Sequence, residues 1–492
     1  MGRVFGATME QPRELFVISD LHLGGKYGAG AAGRGFRINT RVDVLAGFVE
    51  EVAARAKDTA TDTELVINGD FVDFLAEATP ADSRRRAFIA DQDQATATLD
   101  AIAARDRTVF DALRAALESG VGLTVILGNH DIELSLPAVR ARLAALLGAE
   151  RGRRFRFVYD GEAYVAGDVL IEHGNRYDGW NAVDHDRLRR LRSECSRRLE
   201  KSPEAHFFPP AGSELVERLM NPIKHDYPFI DLLKPETDAA IPLLLTLEPD
   251  LVTMANGIAT ARLQRQAASH APAAPARPAQ PGDIAGIGGF AGGLAPLRSV
   301  LAGRLRGTDL SELLALVEDA ERQDRATRGQ IAASAPSRAL SFLRLKLSPS
   351  YESRLRILLG AVRSLRDDKS FELSQETGRE YLDAAQALAA RGFRTIVFGH
   401  THLAKDVPLT DRSRYLNTGT WADLLRVPPE ILNAADGVAL TGLSTFAQAI
   451  RDKQFDDYLM FRPTFAHVRL DGSGSTVAAS VTNYEAGTVR AA

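Results

Sequence analysis

The sequence predicts an α/β chain interrupted by a large, mostly helical insertion, and three observations carry that prediction. Five short apolar runs rich in β-branched residues each end in a block of glycine with aspartate, asparagine or histidine. Strand-like and helix-like segments alternate up to residue 183 and resume after 371, whereas helical periodicity dominates between them. At 492 residues the chain is long for one domain and fits a core, residues 1–183 and 372–492, carrying an inserted unit at 184–371.

Taken in order, Leu15-Phe16-Val17-Ile18 leads into Asp20-Leu21-His22, and Glu64-Leu65-Val66-Ile67 into Gly69-Asp70-Phe71-Val72-Asp73. Leu123–Leu127 leads into Gly128-Asn129-His130-Asp131, Val169–Ile171 into His173-Gly174, and Thr395–Phe398 into Gly399-His400-Thr401-His402. Apolar runs of about 4–8 residues closed by Gly or Asp read as buried strands of an α/β sheet. Helices are expected over Val42–Ala56, Ala95–Ser119 and Tyr381–Ala390, and a further strand over Arg414–Trp421. Open α/β sheets bind ligands beyond the carboxyl ends of their strands, so the five polar blocks are expected to converge on one crevice. Together they form an N/O donor set without sulfur, which suits a pair of divalent transition metals better than a structural zinc.

Each block alone is ordinary turn chemistry, and only the ordered set of five is informative. Asp-x-His, Gly-Asp-x-x-Asp, Gly-Asn-His-Asp, His and Gly-His-x-His in that order resemble the calcineurin-like metallophosphoesterase superfamily. The resemblance covers residues 12–180 and 372–485 and leaves out the segment between. It implies a four-layer αββα sandwich of two mixed sheets and two divalent metal ions, with Mn, Fe and Zn all compatible with the donors. By the same resemblance Asp20, His22 and His402 would hold one metal, Asn129, His173 and His400 the other, and Asp70 would bridge them. Two cations about 3.5–4 Å apart can share a hydroxide, lower its pKa and clamp a phosphoryl group. Asp70 can offer two oxygens to two metals, which a neutral histidine cannot.

His130 would then stand beside the leaving group, with the adjacent Asp131 expected to orient its ring, raise its pKa and make it a proton donor. Asp73 has two readings of equal weight: a hydrogen-bond partner for a ligand histidine, or a cap for the helix after the second strand.

The insertion leaves the core between the His173 and His400 motifs, which suggests a cap over the site. Its first helix carries Arg187, Arg190 and Arg197, candidates to meet a phosphate-bearing substrate, although Asp186, Glu194 and Glu200 make a solvated face the better reading. The apolar segments Tyr227–Leu233 and Ile241–Leu245 read as cap core rather than as a wrapping for an acyl chain. Residues 267–295, rich in Ala, Pro and Gly, read as a mobile loop; within them Gly286-Ile287-Gly288-Gly289-Phe290-Ala291 mimics a dinucleotide fingerprint but follows no strand.

One branch of the resembled superfamily, the UDP-2,3-diacylglucosamine diphosphatases, carries an acyl-binding lid at the same place. This chain shares Ser19-Asp20-Leu21-His22-Leu23 with that branch and departs from it at His130, where the branch has arginine, and at Asn175, where it has aspartate. The expected activity is therefore hydrolysis of phosphoester or diphosphate bonds by a metal-bridging hydroxide, on a small-molecule or lipid-linked phosphate. The alternatives are a lipid-linked UDP-sugar diphosphatase, a nuclease and a non-catalytic scaffold. A formal charge of -4 argues against a general nucleic-acid footprint. Cys195 is the single cysteine, so no intramolecular disulfide forms. No run approaches the roughly 20 apolar residues of a spanning helix, and the first twelve residues carry no apolar leader, from which a cytoplasmic location, with room for peripheral membrane contact, is expected.

Overall fold

Alternate side chains of strand β1 (Arg13–Ile18) enter two different cores, and that alternation sets the layering of the molecule. Phe16 and Ile18 pack among helices, while Leu15 and Val17 join a cluster drawn from two sheets. The computed structural model describes residues 12–25, 36–59, 61–77, 87–149, 154–179, 181–199, 206–210, 212–213, 216, 221–224, 227–234, 239–247 and 350–491.

The remaining strands are β2 (Asp62–Asn68), β3 (Gly122–Ile126), β4 (Phe155–Val158), β5 (Tyr164–Ala166), β6 (Val169–Ile171), β7 (Thr395–Phe398), β8 (Lys405–Pro408), β9 (Arg414–Asn417), β10 (Leu424–Leu425), β11 (Leu459–Met460), β12 (Thr464–Leu470) and β13 (Thr476–Asn483). The chain is α/β with mixed sheets: a six-stranded sheet in the order β13-β12-β1-β2-β3-β4, a five-stranded sheet in the order β5-β6-β7-β9-β8, and the short pair β10-β11. β1 to β4 run parallel, as do β6, β7 and β9, so the ends that carry the polar blocks point the same way within each sheet.

The cluster between the sheets joins Leu15, Val17, Val66 and Ile126 to Tyr164, Val169, Ile171, Val397 and Leu416. Helices Val42–Asp58, Gln92–Arg105, Arg107–Glu118 and Pro137–Leu146 cover the outer face of the first sheet, and Arg379–Ala389 covers that of the second through Tyr381 and Ala385. Helix Arg107–Glu118 shows why these faces hold: Val109, Phe110, Leu113 and Leu117 recur at helical spacing and are all buried, each contributing about 1.5–3 kcal/mol relative to exposure.

The helix expected over Ala95–Ser119 is two helices that break at Asp106. That carboxylate is fully buried; it accepts from Gly24 N at 2.7 Å and pairs with Arg37, so it ties the helix junction to the chain just after the Asp-x-His block. Packing also extends the helical unit beyond the expected insertion. Phe229, Ile230, Leu232, Leu233, Leu243 and Leu244 share a buried cluster with helix Tyr351–Val362 and with Leu432, Leu443, Phe446 and Ile450. The last four come from helices Pro429–Asn433 and Asp436–Arg451, within the segment assigned to the second part of the core. Tyr227–Leu233 thus contributes to a packed interior. Residues 267–295, including the fingerprint-like stretch, lie outside the described residues. Among the described residues no helix is long and apolar enough to cross a membrane.

Candidate metal centre

The loops after β1 and β2 are zipped together by backbone hydrogen bonds before any side chain is considered. Asp20 N donates to Gly69 O, Leu21 N and His22 N both donate to Asp70 O, and Leu23 N donates to Phe71 O. The second sheet joins at the same point, since Thr420 Oγ1 and Trp421 N donate to Asp20 O and His400 N donates to Asp20 Oδ2 at 2.9 Å. This crowding excludes side chains at the glycines of the motifs. A Cβ on Gly128 would lie 2.1 Å from Asp70 Oδ1, and one on Gly69, whose φ is +84°, would lie 2.3 Å from His173 Nδ1.

Backbone strain concentrates on the same loops. Among the described residues seven that are not glycine have positive φ, and five of them are Asp20, His22, Asp70, His400 and His402. A left-handed conformation costs such residues on the order of 1–3 kcal/mol and persists where surrounding structure holds it.

Three groups of donors result among the described residues, each with its donor atoms within 4.8 Å of one another: Asp20 with His22 and His402, Asp70 with His173 and His400, and His22 with Asp73 and His130, of which only the first two consist wholly of predicted ligands. Asp70 Oδ2 lies 3.2 Å from His173 Nε2 and 3.8 Å from His22 Nε2, between the clusters. Its other oxygen accepts from His130 N at 2.9 Å.

Ring orientation is fixed from outside the clusters. A carboxylate or carbonyl oxygen can only accept, so His22 Nδ1 donates to Asp73 Oδ2 (3.1 Å), His173 Nδ1 to Asn68 O (2.8 Å) and His400 Nε2 to Asp178 Oδ2 (3.2 Å). Each ring, when neutral, is left with a lone pair on its other nitrogen. The Nε2 atoms of His22 and His402 lie 3.0 Å apart, a hydrogen bond when His402 carries the proton on that nitrogen, and a separation that two ligands of one cation also adopt. Asp20 Oδ1, Asn129 Oδ1 and His173 Nε2 are buried without a hydrogen-bond partner. Unpartnered buried acceptors are costly, and here they come from three of the predicted ligand residues, which is the arrangement expected of a cation site. The residues present fit divalent metals bound by N and O donors.

The carboxylates and the imidazoles also shift one another. Burial would raise the Asp20 and Asp70 carboxyls, but the surrounding histidines hold Asp20 at about 2 and Asp70 well below the ordinary range. Burial would lower His173, and Asp70 with Asp20 raises it to about 10. Burial pushes His402 down to about 4, with Lys234 adding to the repulsion.

Asp131 does not orient His130. Its oxygens accept from Gly128 N (2.7 Å) and Phe71 N (2.8 Å), so it braces the two motif turns, and burial together with the nearby Asp70 raises its pKa to about 7. The carboxylate beside the His130 ring is Asp73, with Oδ2 3.3 Å from Nδ1. Burial would lower His130, and the carboxylates of Asp73 and Asp70 raise it to about 9. Asp73 makes both of the contacts weighed for it, since Oδ2 meets His22 while Oδ1 accepts from Ala76 N and caps the 3-10 turn Leu75–Glu77. Asp178 went unnoticed in the sequence, where nothing local marks it; its partner lies 222 residues away.

Arg187, Arg190 and Arg197 are not brought to the cluster by any contact among the described residues. Arg187 stacks on Phe208 and pairs with Asp184, Arg197 donates to Ser193 O and Arg190 faces solvent. Sequence comparison adds nothing to the geometry, because no protein-family model and no curated protein matches the chain.

Proposed function

We propose that the chain is a metal-dependent hydrolase of phosphoester or diphosphate bonds, with the metallophosphoesterase architecture and ligand scheme that its motifs resemble. The observation that carries this reading is Asp70 Oδ2 within 3.8 Å of a histidine from each of two donor clusters, in which Asp20 Oδ1 and His173 Nε2 are buried without a hydrogen-bond partner. Two bound divalent cations would supply charge neutralisation for a phosphoryl group and a lowered pKa for water. Asp20, His22 and His402 would hold one, Asn129, His173 and His400 the other, and Asp70 both.

The chain's own contribution beyond holding metal centres on His130. It is the most exposed histidine of the group, with 22% of its side chain accessible, against 1% for His22 and His173. It can reach a substrate that enters from solvent, and Asp73 favours its protonated form. His130 then donates a proton, or a hydrogen bond, to the departing oxygen. Asp73 also receives His22 Nδ1–H, so one carboxylate aligns a metal ligand and the acid together.

The alternatives find less support. The arginines that favoured a nuclease lie on a helix turned to Phe208 and solvent, and the apolar segment that favoured an acyl lid is consumed by its own core.

The test is hydrolysis of bis-p-nitrophenyl phosphate and p-nitrophenyl phosphate by metal-stripped protein resupplied with Mn, Fe(II) or Zn. Turnover restored by metal supports the reading, and His130→Ala is expected to keep bound metal while losing about 10²–10⁴ in kcat. Silence with every metal, in protein shown to bind two ions, would overturn it.

A further inference from the structure

The Asp20 carboxylate is held on one oxygen and left open on the other. Its Oδ2 accepts from Ser19 Oγ and from His400 N, the latter at 2.9 Å. Its Oδ1 is buried without a hydrogen-bond partner and lies 3.3 Å from His402 Nε2. Ser19 supplies the side-chain half of that hold, from a fully buried position where β1 ends against the second sheet.

The Ser19 hydroxyl is itself supported from the interior. Its Oγ lies 2.6 Å from Thr418 Oγ1 and 3.3 Å from Gly419 O. A serine hydroxyl has one proton to give, and a charged carboxylate is a stronger acceptor than a peptide carbonyl at 3.3 Å, so that proton goes to Asp20 Oδ2. The hydrogen between the two hydroxyl oxygens then comes from Thr418. The result is a directed chain from Thr418 to Ser19 to Asp20, in which each link polarises the next.

Thr418 is anchored independently of the donor cluster. It follows β9; its N donates to Phe398 O at the end of β7 (3.0 Å), and its O accepts from Thr464 Oγ1 at the start of β12 (2.5 Å). Strands from both sheets therefore set where the chain begins, 399 residues from Ser19. Gly399 leaves room for it, since a Cβ there would lie 2.5 Å from Ser19 Oγ and 2.8 Å from Asp20 Oδ2. Gly399 does not have positive φ, so space beside Ser19, rather than backbone conformation, is what its missing side chain provides. Asp70 has no such support. Among the described residues its Oδ1 accepts a backbone N–H, from His130, and no hydroxyl.

We propose that Ser19 and Thr418 are positioning residues that reserve Asp20 Oδ1 for one cation, so that the site of Asp20, His22 and His402 depends on an interior hydroxyl chain and the site of Asp70, His173 and His400 does not. This rests on the metal-binding part of the phosphoesterase reading and adds to it an inequality between the two sites. A carboxylate whose second oxygen is occupied by two donors meets a cation through its free oxygen and in one orientation. Fixing that orientation before the metal arrives removes an ordering cost from binding.

The experiment is calorimetric titration of the metal-stripped full chain with manganese, in which the binding step lost in His402→Ala identifies the Asp20 site. Ser19→Ala is expected to weaken that step by about 10- to 100-fold and to leave the other step unchanged. Thr418→Val, which keeps the shape and removes the hydroxyl, should act in the same direction, and Thr418→Ser should restore the affinity. In an Asn129→Ala background Ser19→Ala should still weaken the remaining step, whereas in His402→Ala it should have no further effect. Equal weakening of both steps together with a lowered metal-free urea midpoint marks a structural role and overturns the proposal, as does an unaltered Asp20 step in Ser19→Ala. If Ser19→Ala does not fold, the contrast between Thr418→Val and Thr418→Ser decides. Unaltered protein that takes up no manganese removes the metal reading itself. Two bound ions without turnover of bis-p-nitrophenyl phosphate remove the hydrolase reading and leave the positioning of Asp20 standing on the affinities.

Discussion

Both ends of the first sheet bury carboxylates, and they are treated in opposite ways. At the amino ends of β1 and β2, Glu14 accepts from Arg55 Nε and Nη2 and from His467, and Glu64 accepts from Arg13, Tyr164 and Thr124. At the carboxyl ends, Asp20 and Asp70 face histidines, no arginine is within ion-pair distance of either among the described residues, and one Asp20 oxygen has no hydrogen-bond partner. The backbone follows the same division, since Asp20 and Asp70 have positive φ and Glu14 and Glu64 do not. A carboxylate matched by arginine within a strand is completed by the protein alone. The strained and incompletely matched carboxylates are the ones that the proposed metal ions would complete.

The largest effect that sharpens this contrast is expected from Asp70→Ala. Bound metal, read by elemental analysis, and phosphodiester turnover should both fall to background, and the urea midpoint measured without metal should fall as well, because the histidines that hold the Asp70 carboxyl below its ordinary range lose their partner. Metal retained at the level of the unaltered protein would place Asp70 with Glu14 as structural.

Glu14→Ala should lower stability alone, costing about 3–5 kcal/mol in urea unfolding because Arg55 and His467 lose their shared partner, with unchanged turnover per folded molecule. Its pH dependence follows from the sign of the shift. Burial would raise the Glu14 carboxyl, but His467 and Arg55 hold it at about 2, below the ordinary 4.5. The stabilisation is therefore fully present above pH 4.5 and is lost as pH falls toward 2, roughly 3 kcal/mol in all. Glu14→Gln should flatten that acid limb, and an unaltered limb would assign it to other carboxylates.

A smaller effect is expected at Asp178. Asp178→Ala should weaken metal binding by about 10- to 100-fold, through a freed His400 ring, and Asp178→Asn should recover part of it because an amide oxygen still accepts from Nε2. Loss of folding without loss of affinity in the refolded fraction would make the His400 contact incidental.

The strand runs and the order of the five polar blocks were legible because each is local: a β-branched run, a closing glycine and a donor within a few residues. Partners supplied across the fold were not. Asp131 is adjacent to His130 in sequence, yet the turn sends its oxygens back to Gly128 and Phe71, and the ring is met by Asp73 from the neighbouring loop. Asp178 and Asn68 O act across β6 and β7 or across the two sheets, pairings that no spacing within one segment encodes. The reach of the helical unit into residues 429–451 was hidden for a related reason. Helix Asp436–Arg451 has an ordinary amphipathic pattern, which states that one face is covered but not by which part of the chain.

β1 lies between β2 and β12, and its pairing with β12 joins residues 13–17 to residues 466–470. During synthesis, the strand that delivers Asp20 therefore waits with one edge unpaired while hundreds of later residues are made. His400 and His402 arrive in the same late interval. Premature termination after 402 would yield a chain with every proposed ligand and no stable place for them, prone to edge-to-edge association rather than to metal capture.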